Sequence, residues 1–182
     1  IRREDDPRDP RRYQTVYARE GRSVAAPTAG LHFTPRVLAA LEARGVERVR
    51  IRLDVGPGTF KPVTAERVED HRMDSEPYVL SEEAARTLNG ARAAGRRIVA
   101  VGTTATRTLE DQVRRFGRFV PGAYETDLFI TPGYRFGAVS GLVGRKRSVI
   151  GSYGQPIASG IHVRGGDPRV GRDDNGRASL VR

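Results

Sequence analysis

Ile98-Val99-Ala100-Val101-Gly102-Thr103-Thr104-Ala105-Thr106-Arg107-Thr108-Leu109-Glu110 is the stretch that decides the fold class. Four consecutive apolar residues predict a short strand buried on both faces. Gly102-Thr103-Thr104 then turns the chain, and a helix is expected from Ala105 to about Arg115. A strand that enters a helix through a glycine and two hydroxyls is a unit of α/β architecture. The junction, at the carboxyl end of a strand, also suits a ligand carboxylate or ribose, with Arg107 one turn inside. Thr103 or Thr104 could equally cap the helix, and both readings stay open.

Working outward, Ser81-Glu82-Glu83 opens a helix whose apolar face is Ala84, Ala85, Leu88 and Ala91 and which ends near Gly95. The glutamates lie where the helix dipole favours negative charge. Further upstream, Val49, Ile51 and Leu53 alternate with Arg50 and Arg52, the period of a half-buried strand. Before that, Thr34-Pro35 starts a helix through Val37, Leu38 and Leu41 that stops at Gly45. Thr34 supplies the cap oxygen, Pro35 fits the first helical position, and Gly45 can close the end. Downstream, Leu128-Phe129-Ile130 predicts another strand, closed by Pro132-Gly133. Helices alternating with short apolar strands predict an α/β layer with much parallel pairing.

The limits of this unit follow from composition. Residues 1–12 are charged and proline-broken and read as a linker, and residues 13–139 carry the α/β pattern. Residues 140–182 keep no period of 3.6 or 2 and have too little apolar surface to offset their ordering entropy, so an irregular or disordered tail is expected. The whole chain of 182 residues is long enough for one buried core, with 37% hydrophobic and 30% charged residues. No run approaches the ~18 apolar residues of a membrane-spanning helix. No secretion signal is visible after Ile1, and the missing initiator Met suggests that translation began upstream. There are no cysteines, which excludes disulfides and thiolate metal sites and fits a reducing cytoplasm. His32, His71 and His162 have no paired spacing, so no metal site is expected. The net charge of +10 suits a polyanionic partner. Eight Lys/Arg and three Asp after Val139 place +5 of it in the tail, however.

Three further segments could carry chemistry. Ala25-Ala26-Pro27-Thr28-Ala29-Gly30-Leu31-His32-Phe33 is a small-residue turn ahead of a helix, able to approach an anion closely with His32 beside it as a proton carrier. The same residues also describe a tight loop with a structural histidine. Asp54-Val55-Gly56-Pro57-Gly58-Thr59-Phe60 runs from a strand into a glycine-rich turn, where α/β folds place ligands, though it lacks the full phosphate-loop and dinucleotide patterns. His71-Arg72-Met73-Asp74-Ser75-Glu76 reads either as solvated loop surface or as a histidine–carboxylate pair for general base catalysis.

Together these segments resemble the S-adenosylmethionine:tRNA ribosyltransferase-isomerase family of queuosine biosynthesis. The resemblance is carried in order by Tyr13-Gln14-Thr15-Val16-Tyr17, the 25–33 turn, Gly58-Thr59-Phe60 with Pro62-Val63, His71, Ser75-Glu76, Val101-Gly102-Thr103-Thr104, Arg107, Leu109-Glu110, and Phe129-Ile130 with Pro132-Gly133-Tyr134. It implies part of the family's α/β domain, without the β-barrel domain encoded upstream. It also implies transfer and isomerisation of the ribosyl moiety of S-adenosylmethionine onto 7-aminomethyl-7-deazaguanine at a tRNA wobble position. The implied product is epoxyqueuosine, with adenine and methionine expected as the released groups. The implied cosubstrate is S-adenosylmethionine without a metal, the implied partner is tRNA, and a cytoplasmic monomer is expected.

Such chemistry needs a base near the acidic hydrogens beside a sulfonium, an acid for departing adenine, and fixed dipoles around the ribose. The resemblance makes His32 and His71 the candidates for proton transfer, with Glu76 as orienter. Tyr13, Gln14, Thr28, Gly30, Gly58, Thr59, Phe60, Thr103, Thr104 and Arg107 are the candidates for substrate binding, Arg107 by a bidentate contact with a carboxylate or phosphate. Asp54 and Asp74 stand where the family usually has histidine. The resemblance ends near Val139, where Gly144-Arg145-Lys146-Arg147 and a Gly/Arg-rich tail replace the family's continuation, as a frameshift would produce. Two other readings are an inactive remnant that at most binds RNA and an unrelated α/β nucleotide-binding domain. Without the barrel and the family's downstream helices, some apolar faces are expected to lie uncovered.

Overall fold

Leu80, Ala84, Ala85, Leu88, Leu109 and Phe119 bury their side chains in one cluster, where the strands and helices of the chain meet. Burial of each of the larger ones contributes about 1.5–3 kcal/mol. The computed structural model describes residues 6–18, 23, 25–56, 73–144, 170–172 and 178–180. In chain order the elements are α1 (Asp9–Arg12), a 3₁₀ turn (Thr28–His32), α2 (Pro35–Ala43), β1 (Arg52–Leu53), β2 (Glu76–Leu80), α3 (Glu82–Ala93), β3 (Val99–Val101), α4 (Thr103–Phe116), β4 (Gly122–Thr126), β5 (Gly141–Val143), β6 (Val170–Arg172) and β7 (Ala178–Leu180).

The capped helices form where their signals stand. Thr34 Oγ1 accepts the Val37 N–H at 3.2 Å, and Pro35 occupies the first helical position. Ser81 Oγ accepts the Ala84 N–H at 3.2 Å, and Ala84, Ala85 and Leu88 are the buried face of α3. In α2, by contrast, no residue is fully buried. The alternation through Val49, Ile51 and Leu53 appears as alternating burial, but only Arg52–Leu53 enters a ladder.

The sheets depart from the expected parallel pattern. β1, β2 and β4 form an antiparallel sheet in that order, with Glu76 opposite Thr126 and Leu80 opposite Gly122. Parallel pairing among the described residues is confined to β3 with β5, Val99 lying opposite Gly141. The fold is thus a mixed α/β arrangement. β3 is not buried on both faces, since Val99 is 53% exposed; among the described residues β5 is its one ladder partner and carries Gly141 opposite it. Val143 at the end of β5 is also exposed.

Leu128-Phe129-Ile130 is not a strand. The Leu128 N–H donates to Thr126 Oγ1 at 3.2 Å and its carbonyl accepts from Arg107 Nε at 2.8 Å, so side chains satisfy the backbone that a ladder would have served. The strand in this region is the preceding Gly122–Thr126. Within residues 1–12, Asp9–Arg12 form a single helical turn. Most of the tail after residue 144 lies outside the described residues, but β6 and β7 pair antiparallel within it, Val170 opposite Leu180.

Candidate functional site

β2 and α4 run side by side in the same direction. A two-residue step along a strand spans about 6.6 Å and a four-residue step along a helix about 6 Å. The inner face of β2 therefore meets α4 at matched intervals: Glu76 meets Arg107, and Tyr78 meets Asp111. α4 itself is buried from Thr106 to Gln112 without interruption. The seven residues include Arg107, Glu110, Asp111 and Gln112, so the burial depends on polar partners.

Glu76 is buried in β2 and forms an ion pair with Arg107. Its Oε1 also accepts the Gly56 N–H at 3.3 Å, which ties the strand to the glycine-rich segment after β1. Arg107 Nε donates to Leu128 O, and Nη2 to Thr126 O at 3.2 Å. The reading of residues 71–76 as solvated loop surface thus fails at Glu76, because a β-strand and a buried cation hold it inside. Arg107, for which a ligand carboxylate or phosphate was expected, has the protein's own Glu76 carboxylate as a partner.

Tyr78 Oη donates to Asp111 Oδ2 and accepts from Gln112 Nε2, both at 2.8 Å. Burial pushes the Tyr78 phenol well above its ordinary pKa, and the adjacent Asp111 adds to the shift. Gln112 Oε1 in turn accepts the Val120 N–H at 2.8 Å. Glu110 accepts N–H groups from Gly137, Ala138 and Val139 at 2.8–2.9 Å and the Tyr134 hydroxyl at 3.3 Å.

The 25–33 turn is folded against these elements. The 3₁₀ turn is closed by Gly30 N–H to Pro27 O at 2.7 Å and Phe33 N–H to Gly30 O at 3.0 Å. Gly30 is buried under Tyr17 and Thr15; a Cβ there would overlap the Tyr17 hydroxyl and lie 2.8 Å from Thr15 Cγ2. Burial raises the Tyr17 phenol pKa. Ala29, buried in the same turn, faces Gly102 at the head of α4, where an added Cβ would stand 3.7 Å from the Ala29 methyl. Gly102 has φ +91°, a conformation that L side chains rarely adopt. It caps α4 without a side-chain hydrogen bond, so neither Thr103 nor Thr104 serves as the cap. Its N–H donates to Val143 O at 2.8 Å, which ties the junction to β5.

The structure therefore joins the Thr28–His32 turn to the Gly102-Thr103-Thr104 junction, and Glu76 to Arg107 and Gly56. Thr103 and His32 are exposed, and Thr28 and Thr104 are half-buried. Tyr13 is 53% exposed, and exposed Gln14 accepts the Thr15 N–H through Oε1 at 2.9 Å. Asp54 pairs with Arg52 at 3.0 Å, and Asp74 is exposed. Gly58, Thr59, Phe60 and His71 lie outside the described residues. Sequence reasoning missed the roles of Tyr78, Asp111, Gln112 and Glu110. The alternation Glu76, Tyr78, Leu80 could have shown a strand face, but its polar partners lie some thirty residues downstream. Among the described residues no group of His, Asp and Glu could hold a metal ion, and no helix is long and apolar enough to cross a membrane.

A family described as "Queuosine biosynthesis protein" matches residues 1–145. Curated relatives bearing the name S-adenosylmethionine:tRNA ribosyltransferase-isomerase include one from Rhodospirillum rubrum, 56% identical over 143 residues, covering 79% of this chain and 41% of the relative. Another, from Moorella thermoacetica, is 54% identical over 139 residues, covering 76% and 41%. A third, from Symbiobacterium thermophilum, is 58% identical over 135 residues, covering 74% and 40%. The chain thus spans about two fifths of the length of the curated relatives it matches. A crystal structure of S-adenosylmethionine tRNA ribosyltransferase from Thermotoga maritima is 37% identical, with a TM-score of 0.47 over 63% of this chain and 34% of that one.

Proposed function

The chain belongs to the queuosine biosynthesis protein family, and from that premise we propose that it carries part of the α/β domain of an S-adenosylmethionine:tRNA ribosyltransferase-isomerase. Membership removes the alternative of an unrelated nucleotide-binding domain. The reaction is transfer and isomerisation of the ribosyl moiety of S-adenosylmethionine onto 7-aminomethyl-7-deazaguanine at the tRNA wobble position. It yields epoxyqueuosine and releases adenine and methionine. The partner is tRNA, and the setting is the cytoplasm.

The observation that carries the reading is the approach of Ala29 to Gly102. It puts the turn bearing Thr28, Gly30 and His32 beside the threonines that open α4, two segments remote in sequence. Thr103 and Thr104, with Thr28 and the Gly58-Thr59-Phe60 segment, bind the cosubstrate, and Tyr13 and Gln14 add polar contacts. His32 and His71 move the protons. Glu76 is the orienting carboxylate, and Arg107 acts through Glu76 by holding its charge and position rather than by reaching substrate.

The test is adenine release by the 182-residue chain supplied with S-adenosylmethionine and tRNA bearing 7-aminomethyl-7-deazaguanine. Adenine is expected only when both are present, and less of it from His32→Ala. No adenine above background would overturn catalysis by this chain. The inward engagement of Glu76 and Arg107 favours a second reading, a chain that binds RNA without turnover, and tRNA retention without adenine would establish it.

A further inference from the structure

Tyr134 and Phe136 lie in Pro132-Gly133-Tyr134-Arg135-Phe136-Gly137, between the Leu128–Ile130 segment and β5. Their rings meet edge to face, with centroids 5.1 Å apart and planes at 72°. Phe136 is 49% exposed, and Arg135 beside it is exposed too. The segment is clamped rather than loose. The buried Glu110 carboxylate takes the N–H groups of Gly137, Ala138 and Val139 and the Tyr134 hydroxyl, and the Tyr134 N–H closes a turn on Thr131 O at 3.1 Å.

Burial, and then the charge and hydrogen bond of Glu110, raises the Tyr134 phenol pKa; Asp111 adds to the shift and Arg114 opposes it. Arg114, exposed in the last turn of α4, is therefore a second cation within electrostatic reach of the same loop. A half-exposed phenyl ring fixed on a rigid support offers an apolar surface to solvent, and the charges exposed beside it are guanidinium groups, the Glu110 and Asp111 carboxylates lying buried beneath. Nucleic acid fills both requirements with one strand: a base covers the ring, and phosphates meet the cations. An apolar protein segment would cover the ring and leave the cations unanswered.

We propose that Phe136, braced by Tyr134 and flanked by Arg135, is a stacking platform for an unpaired RNA base. The proposal rests on tRNA being the partner of this chain and adds where an unpaired base is held. The base stacks on the exposed surface of the Phe136 ring, while Tyr134 packs against that ring and steadies it. Arg135 contacts a neighbouring phosphate. Stacking of this kind tolerates any base, so the platform contributes affinity and orientation, not sequence selection.

The test uses the full chain and a stem-loop oligoribonucleotide with 2-aminopurine in its unpaired loop. The parent protein should bind and quench the 2-aminopurine fluorescence. Phe136→Ala should raise Kd by about tenfold and abolish the quench. Phe136→Leu should behave like the alanine variant, and Phe136→Trp should retain binding and quench. Arg135→Ala should weaken binding and reduce the salt slope by about one. Thermal melts of the variants confirm that each stays folded. Parent-like Kd and quench in Phe136→Ala or Phe136→Leu would overturn the platform while leaving RNA as the partner. A parent chain that fails to bind the stem-loop would overturn both the platform and the tRNA reading.

Discussion

Arg107 in α4 and Glu76 at the head of β2 are 31 residues apart in sequence and form an ion pair inside the protein. Removing one partner of such a pair strands a charge in a medium that solvates it poorly. Glu76→Ala should destabilise the chain by about 3–5 kcal/mol, read from urea unfolding. Part of that loss should return in Glu76→Leu/Arg107→Met, which buries no charge. A double variant no more stable than Glu76→Ala would show that packing, not the stranded cation, sets the cost.

Gly30 has no room for a side chain beneath Tyr17 and Thr15. Gly30→Ala should cost about 1–3 kcal/mol through overpacking. Because the nearest obstacle is the Tyr17 hydroxyl, Tyr17→Phe should relieve part of the strain in the double variant. Chemical unfolding of the four proteins gives the coupling directly, and strict additivity would contradict this account.

Glu110 organises the chain after Pro132 through three backbone donors. Glu110→Ala should raise amide exchange at Gly137, Ala138 and Val139 and cost on the order of 2–3 kcal/mol. Glu110→Gln, which keeps one acceptor oxygen, should fall between the two. Unchanged protection at these amides in Glu110→Ala would mean that other contacts fix the loop.

Tyr78 links β2 to α4 through a phenol held protonated by burial. Above about pH 10 the unfolded chain loses this proton and the folded one keeps it, so the unfolded state binds fewer protons and stability falls with rising pH. The expected slope from this group is about 1.4 kcal/mol per pH unit until the folded phenol itself ionises. Tyr78→Phe should flatten the alkaline fall and lower stability at neutral pH by about 1–3 kcal/mol, since Asp111 loses a buried donor. A parent and variant with parallel alkaline profiles would refute the assignment to Tyr78.

The helices α2 and α3 were legible because their caps are local: Thr34 and Ser81 each serve an N–H three residues on. β4 was missed, and its place was given to Leu128-Phe129-Ile130, because apolar content marks burial and not pairing. Thr126 Oγ1 and Arg107 take the Leu128 backbone out of any ladder, and neither contact has a signature in sequence. β2 was obscured by Pro77 in a sheet interior and by Glu76, a residue type that is almost never fully buried unless paired. The Thr103-Thr104 junction was placed correctly at the head of a helix, but its cap is Gly102. Only the fold shows that Ala29 lies against that glycine.

The matched steps of β2 and α4 set a single meshing between them. If α4 slipped by one residue, a threonine from position 106 or 108 would face Glu76 in place of Arg107. Asp111 would likewise part from the Tyr78 hydroxyl. Each slip would enclose an unanswered charge, at about 3–5 kcal/mol. That penalty is comparable to a large share of the net stability of an ordinary domain. The polar residues of this buried helix thus act as a vernier: they add little to the depth of the native minimum but empty its nearest competitors.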